Sequence, residues 1–592
     1  MAPVQSSPPR SPAPAVLWLL AFVAVVSHLP AVGFDFAQDD FAGLARAAGI
    51  LDVEGWPPRL WTSTVTWSAL WPAFGSDPGP YHGLSLILLL GIAVFAARLA
   101  HRLGAGDAGA AVTGFLTLLG PTTVLPVAWV SAAAELWAVL FALVALDLWI
   151  TPGRGIRPLA AGVAAALSVL SKEPALGLFL LLPLASRWFV DEEPAPTRRG
   201  RALVVTALAM LAVIGALQIR SAFAHGPGDP YALGGVADVA GNLLRSLGWA
   251  VWPWPGSIPP GWLARILGGM VLAVVGVLAV RRARRDDPRV LFLGLLALVS
   301  LAPTVVLRDH QYTYYALLAN VAVAAIFGLE IGPRIDRRLR STTPRGAALV
   351  GASVLVGAAS IVGVSARVHA RGEDGLLVDP ILRRSSIVAD VRAQISDLRR
   401  ARPSPTAIGV LQAARTADPP DPEASRDRLV FIGTPIYLSL QGDRGLGILS
   451  GERLDARWIG HIDDVPGGGF VFLDAGDAVL RPLGPPDNAR IYAAMIAVAG
   501  GQFARARHEL WSVISEQGTR VRFAFDPANL PIRPEELDAE APVFARELAE
   551  AAEADPTDGR ILRLFEQIYE QVRGRELVRD LDVPLRAPRF DQ

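Results

Sequence analysis

Up to about residue 366 the chain alternates between long apolar runs and short polar breaks; beyond Arg367 the apolar positions fall in short groups. The long runs cover roughly 14–33, 81–100, 108–127, 129–150, 156–171, 174–190, 202–220, 262–280, 289–307, 311–331 and 346–366. At ~1.5 Å per helical residue, a run of about 20 residues crosses a ~30 Å hydrocarbon core. The stretch 237–255 is also apolar, but it contains Asn242, Arg245 and Trp252-Pro253-Trp254-Pro255. Cytoplasmic loops are enriched in arginine and lysine, and this decides whether 237–255 crosses. With the N-terminus inside, Arg98, Arg102, Arg154, Arg157, Arg198, Arg199 and Arg201 all fall on the inner side. The clusters Arg281–Arg285 and Arg334–Arg340 join them only if 237–255 does not cross. The pattern therefore predicts eleven spans, with 237–255 as an interfacial or re-entrant helix and the chain after Arg367 on the outer side. Ala31-Val32-Gly33 could pass for a signal-cleavage site, but the apolar stretch is long and only Arg10 precedes it, which favours an uncleaved first span.

After Arg367 the periodicity changes. Residues 381–400 read as an amphipathic, arginine-rich helix, followed by a linker through Thr416–Glu423. Leu429–Gly433 and Gly469–Leu473 read as short buried strands, with Gly467–Gly469 as a turn rather than a phosphate loop. Residues 488–515 resemble one tetratricopeptide-like helical hairpin with Gly500-Gly501 at its turn, and a further helical region covers about 540–572. One such unit is too few for a solenoid. The expected fold is thus an all-α polytopic membrane bundle of about eleven transmembrane helices over 14–366, preceded by a disordered tail at 1–13. Outer loops lie at 34–80 and 221–261, and a water-soluble α+β domain spans 367–592.

Composition agrees with this reading. Of the 592 residues 52% are hydrophobic and 19% charged, too apolar for a soluble protein of this size. The net charge of zero gives no footprint for nucleic acid. The absence of cysteine rules out disulfides, thiolate metal sites and a thiol nucleophile. Lys172 is the only lysine in the chain, every other basic residue counted with it being arginine, so an ammonium at that position invites a functional reading beside that of chance survival.

The predicted topology gathers unusual polar residues at the outer face: Asp35, Asp39 and Asp40 after the first span, Lys172-Glu173 at the end of the fifth, and Arg308-Asp309-His310 with Tyr312, Tyr314 and Tyr315 between the ninth and tenth. Charged groups at membrane depth tend to pair or to line a substrate path, although any one of these could be a solvated span end. Adjacent carboxylates raise each other's pKa or share a cation, so Asp39-Asp40 would suit a general base; Asp39 would equally suit a helix cap. Lys172 and Glu173 read either as an ion pair or, with Arg308 and His310, as contacts for a phosphate. Asp35, Asp39 and Asp40 could also hold a divalent ion, although a base-only mechanism needs none.

Four stretches in order carry a resemblance: Phe74-Gly-Ser-Asp-Pro-Gly-Pro-Tyr-His82, Pro126-Val-Ala-Trp-Val-Ser-Ala-Ala-Ala-Glu135, Leu170-Ser-Lys-Glu173 and Arg308-Asp-His-Gln-Tyr-Thr-Tyr-Tyr315. With the acidic pair after the first span, this set resembles the C-type (GT-C) membrane glycosyltransferases, in particular protein O-mannosyltransferases and their tetratricopeptide-bearing relatives, over residues 14 to about 332. The chain departs from those relatives at Gly120-Pro121 (His-Pro there), Leu125 (Glu there), the order Pro57-Pro58-Arg59-Leu60, and Ser85 (Asn there). The resemblance implies a polyprenyl-phosphate-linked sugar donor and inversion at the anomeric carbon. It implies Asp39 as the base for an acceptor hydroxyl, with Asp40 as its partner. It further implies Lys172, Arg308 and His310 on the donor phosphate, with Glu135, Glu173, His82 and Tyr312 in support. The implied location is a bacterial inner membrane, with the N-terminus cytoplasmic and the last domain periplasmic. A transporter or flippase of a lipid-linked substrate and a catalytically silent scaffold remain the alternatives.

Overall fold

The computed structural model describes residues 12–592 apart from 51–65, 152–155, 190–203, 207–231, 253, 255–256, 309, 342–354, 356, 360, 373–376, 402–406, 413–434, 452–454, 460–461, 463–464, 466–468, 475–477, 518–529, 531, 575–576 and 578–592. The chain divides into two compact units, Met1–Ser386 and Ile387–Gln592.

The first unit is helical. Among the described residues, five helices are long and apolar enough to cross a membrane: Pro14–Gly33, Gly79–Leu119, Val130–Ile150, Gly261–Ala283 and Thr313–Arg338. Arg157–Ser171 and Arg289–Val305 are shorter apolar helices. The Gly79–Leu119 segment is two helices, Gly79–Ala100 and Gly106–Leu119, that pack on each other after a break at Gly104, where φ is +93°. A glycine supplies that conformation without the Cβ clash of other residues. The expected run 202–220 lies outside the described residues except at 204–206, and the last run is described as helix chiefly at 361–369.

The third expected run, 108–127, is shorter than read. Its helix stops at Leu119, Gly120 is extended, and a separate turn of helix covers Val124–Ala128. Pro121 accounts for the break, because proline has no N–H to continue the ladder and disfavours helical geometry in the residue before it. The sixth run likewise opens as a 3-10 turn at Glu173–Gly177 before the helix Leu178–Phe189.

Residues 237–255 form a helix at Val236–Val251 that packs along Gly261–Ala283. Small residues permit the close approach. A Cβ on Gly248 would overlap the carbonyl of Ala264, and one on Gly268 would overlap that of Leu244. Asn242, one of the polar residues that made the stretch ambiguous, donates to the Leu307 carbonyl at 2.8 Å. It thereby ties this helix to the loop that carries Arg308 and His310.

The arginine-rich helix ends meet at one end of the unit. Arg98 and Arg102 both reach Asp147 at the end of the Ala133–Ile150 helix, at 3.0 Å and 2.5 Å. Arg282 spans Asp287 at 2.5 Å and Glu330 at 2.7 Å, and Arg289 closes on Asp287 at 2.6 Å. These paired charges hold the Asp287 carboxyl down to about 2: burial opposes the shift, and the hydrogen bonds from Arg289 and Arg282 outweigh it. The core between the two ends is built from Leu, Ala, Val and Ile of all the long helices.

Among its described residues the second unit has a four-stranded sheet in the order β2-β1-β3-β4, with β1 Ala407–Gln412, β2 Asp455–Ile459, β3 Phe470–Asp474 and β4 Leu480–Gly484. The β1 strand pairs parallel with β2 and β3, and β4 is antiparallel to β3. Of the two strands read from sequence, Gly469–Leu473 corresponds to β3, while Leu429–Gly433 lies outside the described residues. Two helical hairpins follow. Pro486–Ala499 and Phe503–Gln517 turn at Gly500-Gly501, where Gly501 has φ +68°, and Pro534–Ala551 and Pro556–Arg573 form the second. One core joins these helices to the inner faces of β1 and β3.

Candidate functional site

The acidic pair closes the segment after the first helix. Phe34 is extended, Asp35–Ala37 have no regular structure, Gln38 takes φ +49°, and a helix begins at Asp39. A positive φ at a residue with a side chain costs of order 1–3 kcal/mol, so the surrounding contacts must hold it. Asp40 supplies them. Its carboxylate accepts from the Ala37 N–H at 2.9 Å, the Ser131 N–H at 2.7 Å and the Ser131 hydroxyl at 2.6 Å. The side chain is fully buried, and burial raises its carboxyl to about 7 against the opposing pull of those hydrogen bonds, with a smaller upward push from Asp39.

The two carboxylates therefore differ in what they can do. Asp40 has committed both oxygens to protein donors, whereas Asp39 is exposed at the first position of the helix. Asp39 is not the helix cap: Gln38 holds that position, and no side chain caps the helix.

An aromatic cluster faces this turn. Trp129 donates its indole N–H to the Ala37 carbonyl at 3.2 Å, and its ring lies 6.1 Å from those of both Tyr312 and Tyr314. Tyr312 stacks on Tyr314 at 5.4 Å, Tyr314 meets Tyr315 edge-on at 4.6 Å, and His310 stands edge-on to Tyr312 at 5.0 Å. The lone lysine sits behind these rings. The Lys172 ammonium is 4.7 Å from the Tyr314 ring centre, 4.6 Å from that of Tyr315, and 3.7 Å from the Glu135 carboxylate. Its side chain is 4% exposed and that of Glu135 0%, so this pair is sealed from solvent.

Asp39, Asp40, His310, Tyr312, Lys172 and Glu135 thus surround one turn and one aromatic cluster. Three further residues have other partners, and His82 among them also reaches the backbone of Phe34 and Asp35. Arg308 is exposed, with its backbone N–H donated to Ala232 at 2.8 Å. His82 is buried under the site, its Nδ1 2.8 Å from the Val127 carbonyl, and Glu173 is half-buried at the start of its 3-10 turn. Asp309 lies outside the described residues.

Two contributors went unnoticed in the sequence. Ser131 sits inside the Pro126–Glu135 stretch, but only the fold shows its hydroxyl on Asp40. Arg384 comes from the helix Pro380–Ala401, far along the chain. Burial lowers the pKa of its guanidinium, and Tyr312 and then Asp39 act in the opposite sense. The phenol of Tyr312 is raised by burial and by Asp39, and lowered by Arg384. Asp39, Tyr312 and Arg384 therefore share one electrostatic environment.

The Asp40 oxygens already accept three hydrogen bonds, and among the described residues no three His, Cys, Asp or Glu side chains gather as metal ligands.

No protein-family model matches the chain. No curated protein matches it either. Among solved structures it is similar to ArnT from Cupriavidus metallidurans bound to undecaprenyl phosphate, with 16% identity and a TM-score of 0.39 over 66% of this chain and 73% of that one. A likeness of that depth is too slight to carry an argument about activity.

Proposed function

We propose that this protein is a membrane glycosyltransferase that moves a sugar from a polyprenyl-phosphate carrier to an acceptor hydroxyl, with Asp39 as general base. One observation carries the reading: of the paired carboxylates, Asp40 is spent on the turn while Asp39 is left exposed beside a tyrosine cluster and an arginine. The ordered motifs shared with C-type glycosyltransferases supply the donor class. In the proposed step the acceptor oxygen attacks the anomeric carbon and its proton passes to Asp39. The bond from that carbon to the phosphate oxygen breaks, and the polyprenyl phosphate leaves, so the configuration inverts. Phosphate is a good leaving group, so the chemistry asks for a positioned base and a cation rather than covalent catalysis. Tyr312, half-buried in the field of Asp39, offers a face for a sugar ring. We place the protein in a bacterial inner membrane, with this site on the periplasmic side.

The test uses the full chain in nanodiscs with a panel of labelled polyprenyl-phosphate sugars, comparing wild type with Asp39→Asn. Loss of a general base lowers rates by about 10²–10⁴-fold, and sugar release or transfer should fall by that much with donor binding intact. Undiminished release from Asp39→Asn would remove Asp39 from the chemistry. Folded wild-type protein that neither binds nor cleaves any donor in the panel would overturn the reading and favour a transporter or a scaffold.

A further inference from the structure

The resemblance implied Lys172, Arg308 and His310 for the donor's phosphate, but the fold withholds Lys172 from that role. Lys172 is sealed beneath Tyr314 and Tyr315 and held at 3.7 Å by Glu135, so reaching a headgroup would require breaking a buried ion pair. Arg308 is exposed on the loop bridged to Leu233.

The helix Pro380–Ala401 brings a further cation to the acidic turn. Ile381 packs into the cluster of Ala37, Trp129, Tyr314 and Tyr315. Ser385, four residues on, donates its hydroxyl to the Asp35 carbonyl at 2.8 Å. Residues three and four apart lie on the same side of a helix, so Arg384 is carried on the face that these two contacts press against the acidic turn. The start of the helix is fixed as well. Asp379 accepts from the Ile381 N–H at 3.1 Å and pairs with buried Arg367 at 3.0 Å, and Arg367 also donates to the Pro121 carbonyl at 3.2 Å. Arg384 is half-buried and stands in the field of Asp39 and Tyr312. A planar guanidinium with five donors can engage a carboxylate and a phosphate oxygen together.

We propose that Arg384 is the residue that recognises the anionic headgroup of the lipid donor and sets it beside Asp39, while the Lys172–Glu135 pair supports the tyrosines from behind. The inference rests on the donor reading above, and it moves the phosphate role implied for Lys172 by the resemblance onto a residue about 210 positions later in the chain.

The experiment measures binding of undecaprenyl phosphate and of undecaprenol to the full chain in nanodiscs, for wild type, Arg384→Ala, Arg384→Lys and Asp39→Asn. Losing a hydrogen-bonded charge contact weakens binding by about ten- to a hundredfold. Arg384→Ala should lose that much affinity for the phosphate lipid and keep its affinity for the alcohol, so that headgroup selectivity disappears. Arg384→Lys should restore part of it. Asp39→Asn should bind the phosphate lipid at least as well as wild type, since it removes a like charge. Arg384→Ala that still prefers the phosphate lipid overturns the proposal. So does loss of both lipids in Arg384→Ala with no recovery in Arg384→Lys, which would mark a structural role. Wild type that binds the phosphate lipid but releases no sugar from the labelled polyprenyl-phosphate sugars counts against the transferase reading alone, whereas wild type with no preference for the phosphate refutes both.

Discussion

Removing the ammonium of Lys172 should damage the protein far more than removing the whole ion pair. In Lys172→Met the Glu135 carboxylate, 0% exposed and 3.7 Å from the ammonium, stays buried without its countercharge. Breaking a buried pair in this one-sided way costs about 3–5 kcal/mol. The ammonium also faces two tyrosine rings at 4.7 Å and 4.6 Å, and desolvated contacts of that kind are worth about 2 kcal/mol, part of the same loss rather than an addition to it. The double variant Glu135→Gln/Lys172→Met removes both charges and keeps both side-chain volumes. Neutral replacements of buried pairs are often close to neutral, so it should fall within about 2 kcal/mol of wild type. The assay is equilibrium unfolding in mixed micelles, run as a double-mutant cycle on full-length protein. Lys172→Met destabilised by less than about 1 kcal/mol, or a double variant no better than the single one, would refute the claim that the pair is sealed and mutually dependent.

Two further predictions follow from other parts of the first unit. Asp40 titrates near 7 in the fold against 3.8 for an ordinary carboxyl, so the folded state holds a proton that the unfolded chain releases between those values. Stability from this group is fully present below about pH 4 and is lost as pH rises to about 7, a span worth roughly 4 kcal/mol at 1.36 kcal/mol per unit. Thermal unfolding of wild type and Asp40→Asn across pH 4–8 should show this slope in the wild type and its absence in the variant, and parallel curves would contradict it. Gly248→Ala and Gly268→Ala should each destabilise the helix pair by about 1–3 kcal/mol, because the new methyl meets a backbone carbonyl. Gly269→Ala and Gly276→Ala, where a Cβ meets nothing within 4 Å, should be neutral or stabilising in the same micelle unfolding assay.

The sequence by itself marked the long apolar helices, five of which among the described residues are long enough to cross a membrane, because a run of about 20 apolar residues has few other uses. It also singled out residues that the fold brings together: Arg98 and Arg102 meet on Asp147, Arg282 pairs with Asp287 and Glu330, and Asp39, Lys172 and His310 gather around one turn. It marked the Gly500-Gly501 hairpin, since two adjacent glycines between helical periods specify a turn. It could not divide the labour within the acidic pair. Asp39 and Asp40 are chemically identical in the sequence, and only the placement of Ser131 and Ala37 commits one and leaves the other exposed. Nor could it decide what the lone lysine does, because an ammonium reads alike whether it faces solvent or a buried glutamate. Arg384 was hidden by distance along the chain: one arginine among many on an amphipathic helix carries no local signal. Its environment arises only when Ile381 and Ser385 dock on the aromatic cluster and on Asp35. Local pattern decides which residues enter a membrane and where they turn, because those choices are made over one or two helical turns. The protonation, pairing and reach of a charge depend on which neighbours the tertiary fold brings within a few ångströms.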